Sequence, residues 1–537
     1  MDETGSIDHD GGDARTTVGG VDVDGPSGRG TGPRSAFLIA GALGLVLVAG
    51  AVMIAMRFLG GGGAQPASAL PDDAIAYIGI DLDPPAGQKL EAYQFLRAFP
   101  DFREKTSGDS EDPDDLRQSL VELALEDEPG CDLTWQDDFA PWLGQRAALI
   151  ARPGQDEPSV VIAVQVEDEE AARAGIDALD SCAGGDTTTG VVFSAGYAVL
   201  AETQGEADAA VAAADRGALE QLPAFDEMTQ RTGQDGVIEA WFGEDALSQV
   251  LDLADGELTS EDRSMLESLY GEKPSGALTV RFADGGLEAV AAFSSDSPRT
   301  GAPAETIRLG SLPAESAVAF SAGVSEDYER ILEEQLQSFS EIVGGFGPRG
   351  ADPLKQIERE TGLALPADLL TLVGSEFALA VSEDVVTDTT AQFEDPSPMV
   401  AIAPPIALVT DSSEADVQAV LDKLRPLIAP VELSATGGAG GTAYGPDPAW
   451  NASLAGGEGA RLGDLDEFAA VLPDVDQADG AMFVNFNSAM FDDIRAELSR
   501  KDAADFDDVV GPMSAFGFTV GADDDGVQMI RMRLGTD

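Results

Sequence analysis

Residues 36–56 run for 21 positions without a charge, AFLIAGALGLVLVAGAVMIAM. A helix rises ~1.5 Å per residue, so this run is about 30 Å long, the thickness of a bilayer's hydrocarbon core. A segment this long and apolar on every face reads as a transmembrane helix, residues 36–58. It exceeds the ~7–15-residue apolar region of a cleaved signal peptide. The nearest small-residue site, Ala67-Ser68-Ala69, lies well beyond its end. An uncleaved signal anchor is therefore expected, with the lipid bilayer as the partner of residues 36–58. Arg29 and Arg34 precede the run and Arg57 follows it. That small excess places the N-terminus in the cytoplasm and the C-terminal domain outside the cell.

The flanks differ sharply in character. Residues 1–35 are rich in Gly, Asp, Ser and Thr and nearly free of large apolar side chains. Such a segment buries too little surface to offset its ordering entropy, so a disordered cytoplasmic tail is expected. Residues 59–69, with Gly60-Gly61-Gly62-Gly63 and Ala64-Gln65-Pro66, read as a flexible linker. Folding is expected to resume near Leu70. Acidic residues outnumber basic ones 98 to 31, for a net charge of −67. A surface that negative repels phosphate backbones and anionic head groups, which excludes nucleic acid as a partner and basic-patch membrane binding.

The ectodomain reads as two tandem α+β units, residues 70–300 and 301–537, each with a largely antiparallel sheet. Leu70-Pro71-Asp72-Asp73 leads into an alternating apolar strand, as does Leu312-Pro313-Ala314-Glu315. Residues 138–144 (DFAPWLG) match 368–374 (DLLTLVG), each ahead of a strand, 146–151 or 376–381. Strand 160–166 matches 404–410, and the helical stretch 169–179 matches 414–424. Residues 235–242 (DGVIEAWF) match 479–486 (DGAMFVNF). Each half ends in a hairpin: 277–293 turning at Asp284-Gly285-Gly286, and 515–534 turning at Asp524-Asp525-Gly526. Matches in one order at a nearly constant offset point to an internal duplication. A cleft between the two copies is expected.

A charged tail, one span, a Gly/Pro linker and the start LPDDAIAYIGIDLD resemble a family of actinobacterial membrane-anchored proteins. Pro84-Pro85-Ala86-Gly87-Gln88-Lys89-Leu90 and Trp142-Leu143-Gly144 carry the likeness further. That family's ectodomain has a domain of unknown function. The resemblance implies location and fold, and brings no activity, cofactor or catalytic residue with it.

Chemistry is bounded mainly by exclusion. The one histidine, His9, sits in the tail, which rules out a Ser-His-Asp or Cys-His arrangement and histidine-ligated zinc in the ectodomain. The sequence has no GxSxG elbow, Walker loop or SxxK motif there. Acidic runs at 109–115, 474–480 and 523–526 invite a calcium reading. Counted from Asp474, however, loop position 5 is Ala478 and position 12 is Asn485, so the EF-hand pattern fails. No catalytic, cofactor-binding or metal-ligating residue is assigned, and no cofactor is expected. Gly437-Gly438-Ala439-Gly440-Gly441 reads as a flexible loop. Lys89 reads as a surface lysine on an amphipathic helix with Leu90, Tyr93 and Phe95-Leu96. Asn451-Ala452-Ser453 fits a glycosylation sequon, of little weight in a bacterial chain. The expectation is a membrane-anchored extracellular binding or envelope-associated module without enzymatic activity. Its partner would be an envelope polymer, a lipid-like ligand or a protein. The alternative is a carboxylate-dependent enzyme acting on cell-envelope glycans.

Cys131 and Cys182 are the only cysteines, and an oxidising exterior favours their pairing. The bridge would close a loop of about 50 residues and stabilise by roughly 3–4 kcal/mol. Purified without reductant, the ectodomain should show no titratable thiol even when denatured. Reductant should release two thiols and lower the urea midpoint. Free thiols in the untreated protein would refute the bridge.

Overall fold

The computed structural model describes residues 65–82, 86–100, 102–103, 117–118, 121, 133–153, 158–182, 189–233, 236–253, 263, 270–271, 273–295, 301–302, 309–325, 327–333, 336, 353–385, 405–428, 431–523 and 525–537. The tail, the apolar run, the glycine tether and the acidic run 109–115 lie outside the described residues. Among the described residues no helix is long and apolar enough to cross a membrane.

Residues 65–537 are α+β. Their first strands are β1 (Ala76–Asp81), β2 (Leu143–Arg152), β3 (Ser159–Val166), β4 (Gly190–Ser194), β5 (Tyr197–Ala201), β6 (Ile238–Phe242), β7 (Ser275–Ala283), β8 (Gly286–Ser294) and β9 (Gly301–Ala302). They are followed by β10 (Ser316–Val324), β11 (Glu376–Ser382), β12 (Ile406–Thr410), β13 (Ser434–Gly438), β14 (Gly441–Gly445), β15 (Gly480–Asn485), β16 (Met513–Ala522) and β17 (Gln528–Thr536). These seventeen strands form one hydrogen-bonded sheet in which every pairing is antiparallel.

Inward from one edge the order is β4-β5-β3-β2-β1-β6-β7-β8. Inward from the other it is β13-β14-β12-β11-β10-β15-β16-β17. Strands β8 and β17 pair at the middle, and the short β9 runs beside the end of β10. The helices are α1 (Ala86–Leu96), α2 (Glu169–Cys182), α3 (Gln204–Ala214), α4 (Pro223–Thr232), α5 (Ala246–Leu253), α6 (Pro353–Thr361), α7 (Ala367–Val373), α8 (Glu414–Ile428), α9 (Pro448–Gly456), α10 (Asp466–Val471), α11 (Ala489–Glu497) and α12 (Arg500–Val509).

Pairing partners refine the correspondence between the half-sheets. Ala76 lies opposite Phe242, and Val318 opposite Val484, so Phe242 occupies the place of Val484. Residue patterning had matched it with Phe486, two positions away. Ala163 likewise answers to Val409, each lying across from an alanine, Ala148 or Ala378. Patterning again missed by two. Side chains repeat every two residues along a strand, so alternation is blind to an even slip. At the middle, Val290 lies opposite Arg531 and Ala289 opposite Met532.

Local chemistry sets the helix starts. Thr203 and Glu206 form a reciprocal capping box ahead of α3. The Asp447 carboxylate accepts from the Ala449 and Trp450 N–H groups at 2.7 and 3.1 Å, ahead of a proline at the first position of α9. These helices pack, with α4 and α10, on the sheet face that carries Tyr77 and Trp241. One buried cluster joins Tyr77, Ile150, Val161 and Trp241 to Ala207, Phe225 and Met228. Another joins Ala319, Val409 and Phe483 to Trp450, Leu454 and Phe468. Each large side chain so buried stabilises by about 1.5–3 kcal/mol. All the buried clusters lie within residues 65–537.

The expected linker ends earlier than residue 69. Pro66–Ser68 form a 3-10 turn, and Ala67, Ala69 and Leu70 are buried in the core. The Gln65 side chain donates to the Asp81 carboxylate at 3.1 Å. The Ala67-Ser68-Ala69 peptide is thus part of the folded domain.

The two half-sheets meet through a buried charge network. Glu288 on β8 is 2 % exposed. It accepts from Arg281 Nε at 2.7 Å and from Arg533 Nε at 2.8 Å, with Arg531 Nε at 3.5 Å. Arg533 also reaches Asp284 at 3.0 Å. Arg231 at the end of α4 pairs with Asp523 and Asp525 beyond β16. Burial alone would raise the Glu288 pKa. The Arg533 hydrogen bond and the charges of Arg281, Arg533 and Arg531 outweigh it and hold the carboxyl below its ordinary value.

A carboxylate held down in the folded state contributes stability above its unfolded pKa and loses it as pH falls through the folded value. Removing one partner of such a buried network costs roughly 3–5 kcal/mol. Glu288→Gln should therefore lower the urea midpoint at pH 7 and flatten the loss of stability between about pH 5 and pH 2. Parallel pH profiles for variant and wild type would remove Glu288 from this role.

Candidate binding surface

The sheet has a second face, carrying Ile78 on β1. The registers place Ile80, Leu149, Ile162, Ala240, Leu278, Ala291, Ile530, Phe518, Met482, Phe320 and Leu379 on it. From β3 across to β12, no paired position on this face carries a charged side chain. The opposite, Tyr77 face carries Asp81, Arg146, Glu239, Arg281, Glu288, Glu376, Arg531 and Arg533. In a chain with 24% charged residues, this is a strong segregation.

Helices cover the Ile78 face at its ends. Helix α2 packs over Val164, Phe193 and Leu200, and α8 over Leu408 and Tyr444. Part of the interior is covered too. Helix α1 lies over Val280 and Phe282, with the Phe95 ring 5.7 Å from Phe282. Helix α11 lies over Val318 and Val381. Between them, Phe242, Phe293, Ile530, Met532, Phe518 and Phe320 belong to none of the buried clusters of the described residues and stay partly exposed. Met532 is 37 % exposed.

The sheet's edges are closed to strand addition. The Gln204 amide bonds both the N–H and the C=O of Val191 on β4, each at 3.2 Å. On β13, Gln418 accepts from the Ala435 N–H at 3.1 Å, and Asn451 donates to the Ser434 carbonyl at 2.9 Å. Side chains thus occupy backbone groups that an added strand would need. Among the described residues a shallow hollow of ≈ 170 Å³ lies at the joint, lined by Val290, Leu472, Asp474, Thr519 and Arg531. Drug-sized ligands occupy roughly 300–1,000 Å³.

Buried carboxylates elsewhere serve packing. Asp81 meets Arg146 at 2.8 Å beneath Gln65. Asp368 accepts from Lys423 at 2.7 Å. Burial pushes its pKa up, but Lys423 and the Ala364 N–H bring the net shift below the ordinary value.

The residues singled out from sequence fall as follows. Cys182 ends α2 and is disulfide-bonded, while Cys131 lies outside the described residues. Asp474 receives Arg531 at 3.3 Å, and Asp523 and Asp525 receive Arg231. Among the described residues no group of three or more ligands is placed to hold a metal ion. The expected glycine loop is instead the β13–β14 hairpin. A Cβ on Gly438 would overlap the Ala455 carbonyl oxygen, so the close approach of α9 requires glycine there. Asn451 is fully buried and also donates to Gly445 O at 3.1 Å, which takes the sequon out of reach of solvent. On α1 the buried side is Gln88, Ala92, Phe95 and Leu96, with Lys89 half-buried. Leu90 and Tyr93, expected on the apolar side, face outward.

The Glu288 network was missed. The Asp284-Gly285 turn, with φ of +52° and +76°, sets Arg281 opposite Glu288, so half the network could be read from the hairpin. Arg533 joins only through the β8–β17 pairing. The chain matches no protein-family model, no curated protein and no solved structure.

Gln204→Ala would open the β4 edge. Sedimentation velocity should then show concentration-dependent association absent from the wild type. A variant as monodisperse as the wild type would show that this amide does not protect the edge.

Proposed function

We propose that this protein is a membrane-tethered extracellular module that binds an apolar ligand on the Ile78 face and performs no chemistry on it. In this reading residues 36–58 anchor it, with the N-terminus in the cytoplasm. The observation that carries it is the uncharged, partly exposed sheet face spanning both half-sheets. Exposed apolar surface on this scale is unfavourable in water and commonly marks a binding site. The capped edges and the small joint hollow leave the face as the best-formed recognition surface among the described residues.

Residues 70–300 and 301–537 are read as two copies of one α+β unit. The common strand order supports this. So do the matching bridges, Pro71 to Ala218 in one half and Pro313 to Arg461 in the other. A glycan-cleaving enzyme has less support. Its general acid needs a raised pKa, whereas Glu288 and Asp368 are held low by cations.

Residues 65–537, purified from the native host, should carry a co-purifying apolar molecule in native mass spectra. Stripped of it, they should bind a neutral, environment-sensitive dye. Met532→Asp places a charge at an exposed point of the face. It should weaken dye binding about tenfold or more, ~1.4 kcal/mol, with an unchanged thermal midpoint. Undiminished dye binding by the variant would sink the assignment of this face.

A further inference from the structure

Resting on that reading, we propose that the face takes the hydrocarbon chain of an amphiphile whose head group carries no net negative charge. Three observations converge on this class. The first is the chemistry of the face. From β6 to β11 the side chains opposite one another on this face are apolar, with Gln528 and Thr536 as the polar exceptions. Sugars need convergent hydrogen-bond donors and acceptors, which this surface does not offer. A carboxylate or phosphate laid on it would lose its hydration without gaining a partner, a cost of several kcal/mol.

The second is extent. Eight strands separate β6 from β11 inclusively, and seven spacings of ~4.8 Å make about 34 Å. A compact ring system would cover only part of this width, whereas an extended chain can follow it.

The third is electrostatic. The chain's net charge of −67 disfavours an anionic head wherever the chain emerges. The arginines nearest the middle of the sheet do not relieve this. Arg281, Arg531 and Arg533 stand on the opposite face and are paired with Glu288, Asp284 and Asp474.

The test uses the full chain reconstituted in vesicles of zwitterionic lipid. Three photoactivatable single-chain amphiphiles share one diazirine-bearing tail and differ only in the head: a neutral alcohol, a quaternary ammonium and a sulfate. Crosslinked peptides are mapped by mass spectrometry. Labelling of residues 36–56, the expected span, reports delivery of each probe.

The neutral and cationic probes should label the peptide bearing Ile530 and Met532, and Met532→Asp should reduce labelling by the neutral probe. The sulfate probe should label that peptide at least tenfold less, relative to its labelling of the span. Equal labelling by the sulfate probe overturns the head-group inference and leaves the apolar-ligand reading standing. Labelling of the span by all three probes with none on the face overturns both, and would mean that another part of this chain or a second copy occupies the face.

Discussion

One strand pair joins the two halves of residues 65–537 into a single sheet. Each half-sheet ends in a long strand, β8 or β17, whose inner edge would otherwise present a row of unpaired N–H and C=O groups. Pairing them satisfies both rows and merges two sheets into one. Glu288 sits within that seam, and a carboxylate is tolerated there only because guanidinium groups from both sides surround it. The network adds specificity that backbone hydrogen bonds lack. A seam slipped by one residue would turn Arg533 and Arg531 onto the apolar face and strand Glu288 without its partners. Burying the charges is costly, and correct alignment is what makes their burial tolerable.

That seam also organises the two faces. The charged groups at paired strand positions from β3 to β12 collect on the Tyr77 side, with α3, α4, α9 and α10, and Asp81, Arg146, Arg281, Glu288 and Arg533 pair there. The Ile78 side is left uncharged across the joint, so the surface runs through the middle of the sheet. Neither half alone has such breadth. The amides of Gln204, Gln418 and Asn451 complete the division by closing the outer edges, which leaves recognition to a face and removes it from the backbone ladder.

Much of this architecture was legible beforehand. Alternating apolar residues and the Asp284-Gly285 turn marked the strands. Two things were hidden for physical reasons. An even slip in register leaves every side chain on its own face, so alternation cannot distinguish Val484 from Phe486 as the counterpart of Phe242. Long-range partners leave no local trace, so Arg533 beside Glu288 could not be inferred from either strand alone. The glycine-rich stretch at 437–441 misled for a related reason, because the α9 backbone that demands glycine there follows it in the chain and packs back onto it.

The docking of residues 65–70 has a mechanical consequence. The chain enters the fold beneath β1, which is not an edge strand: β2 and β6 hold it on either side. Any pull applied to the chain ahead of Gln65 reaches that residue first, then the packed turn at Pro66–Ser68, then this interior strand. Extracting it means breaking two hydrogen-bond ladders together, so the load is shared across the sheet instead of peeling it from a margin.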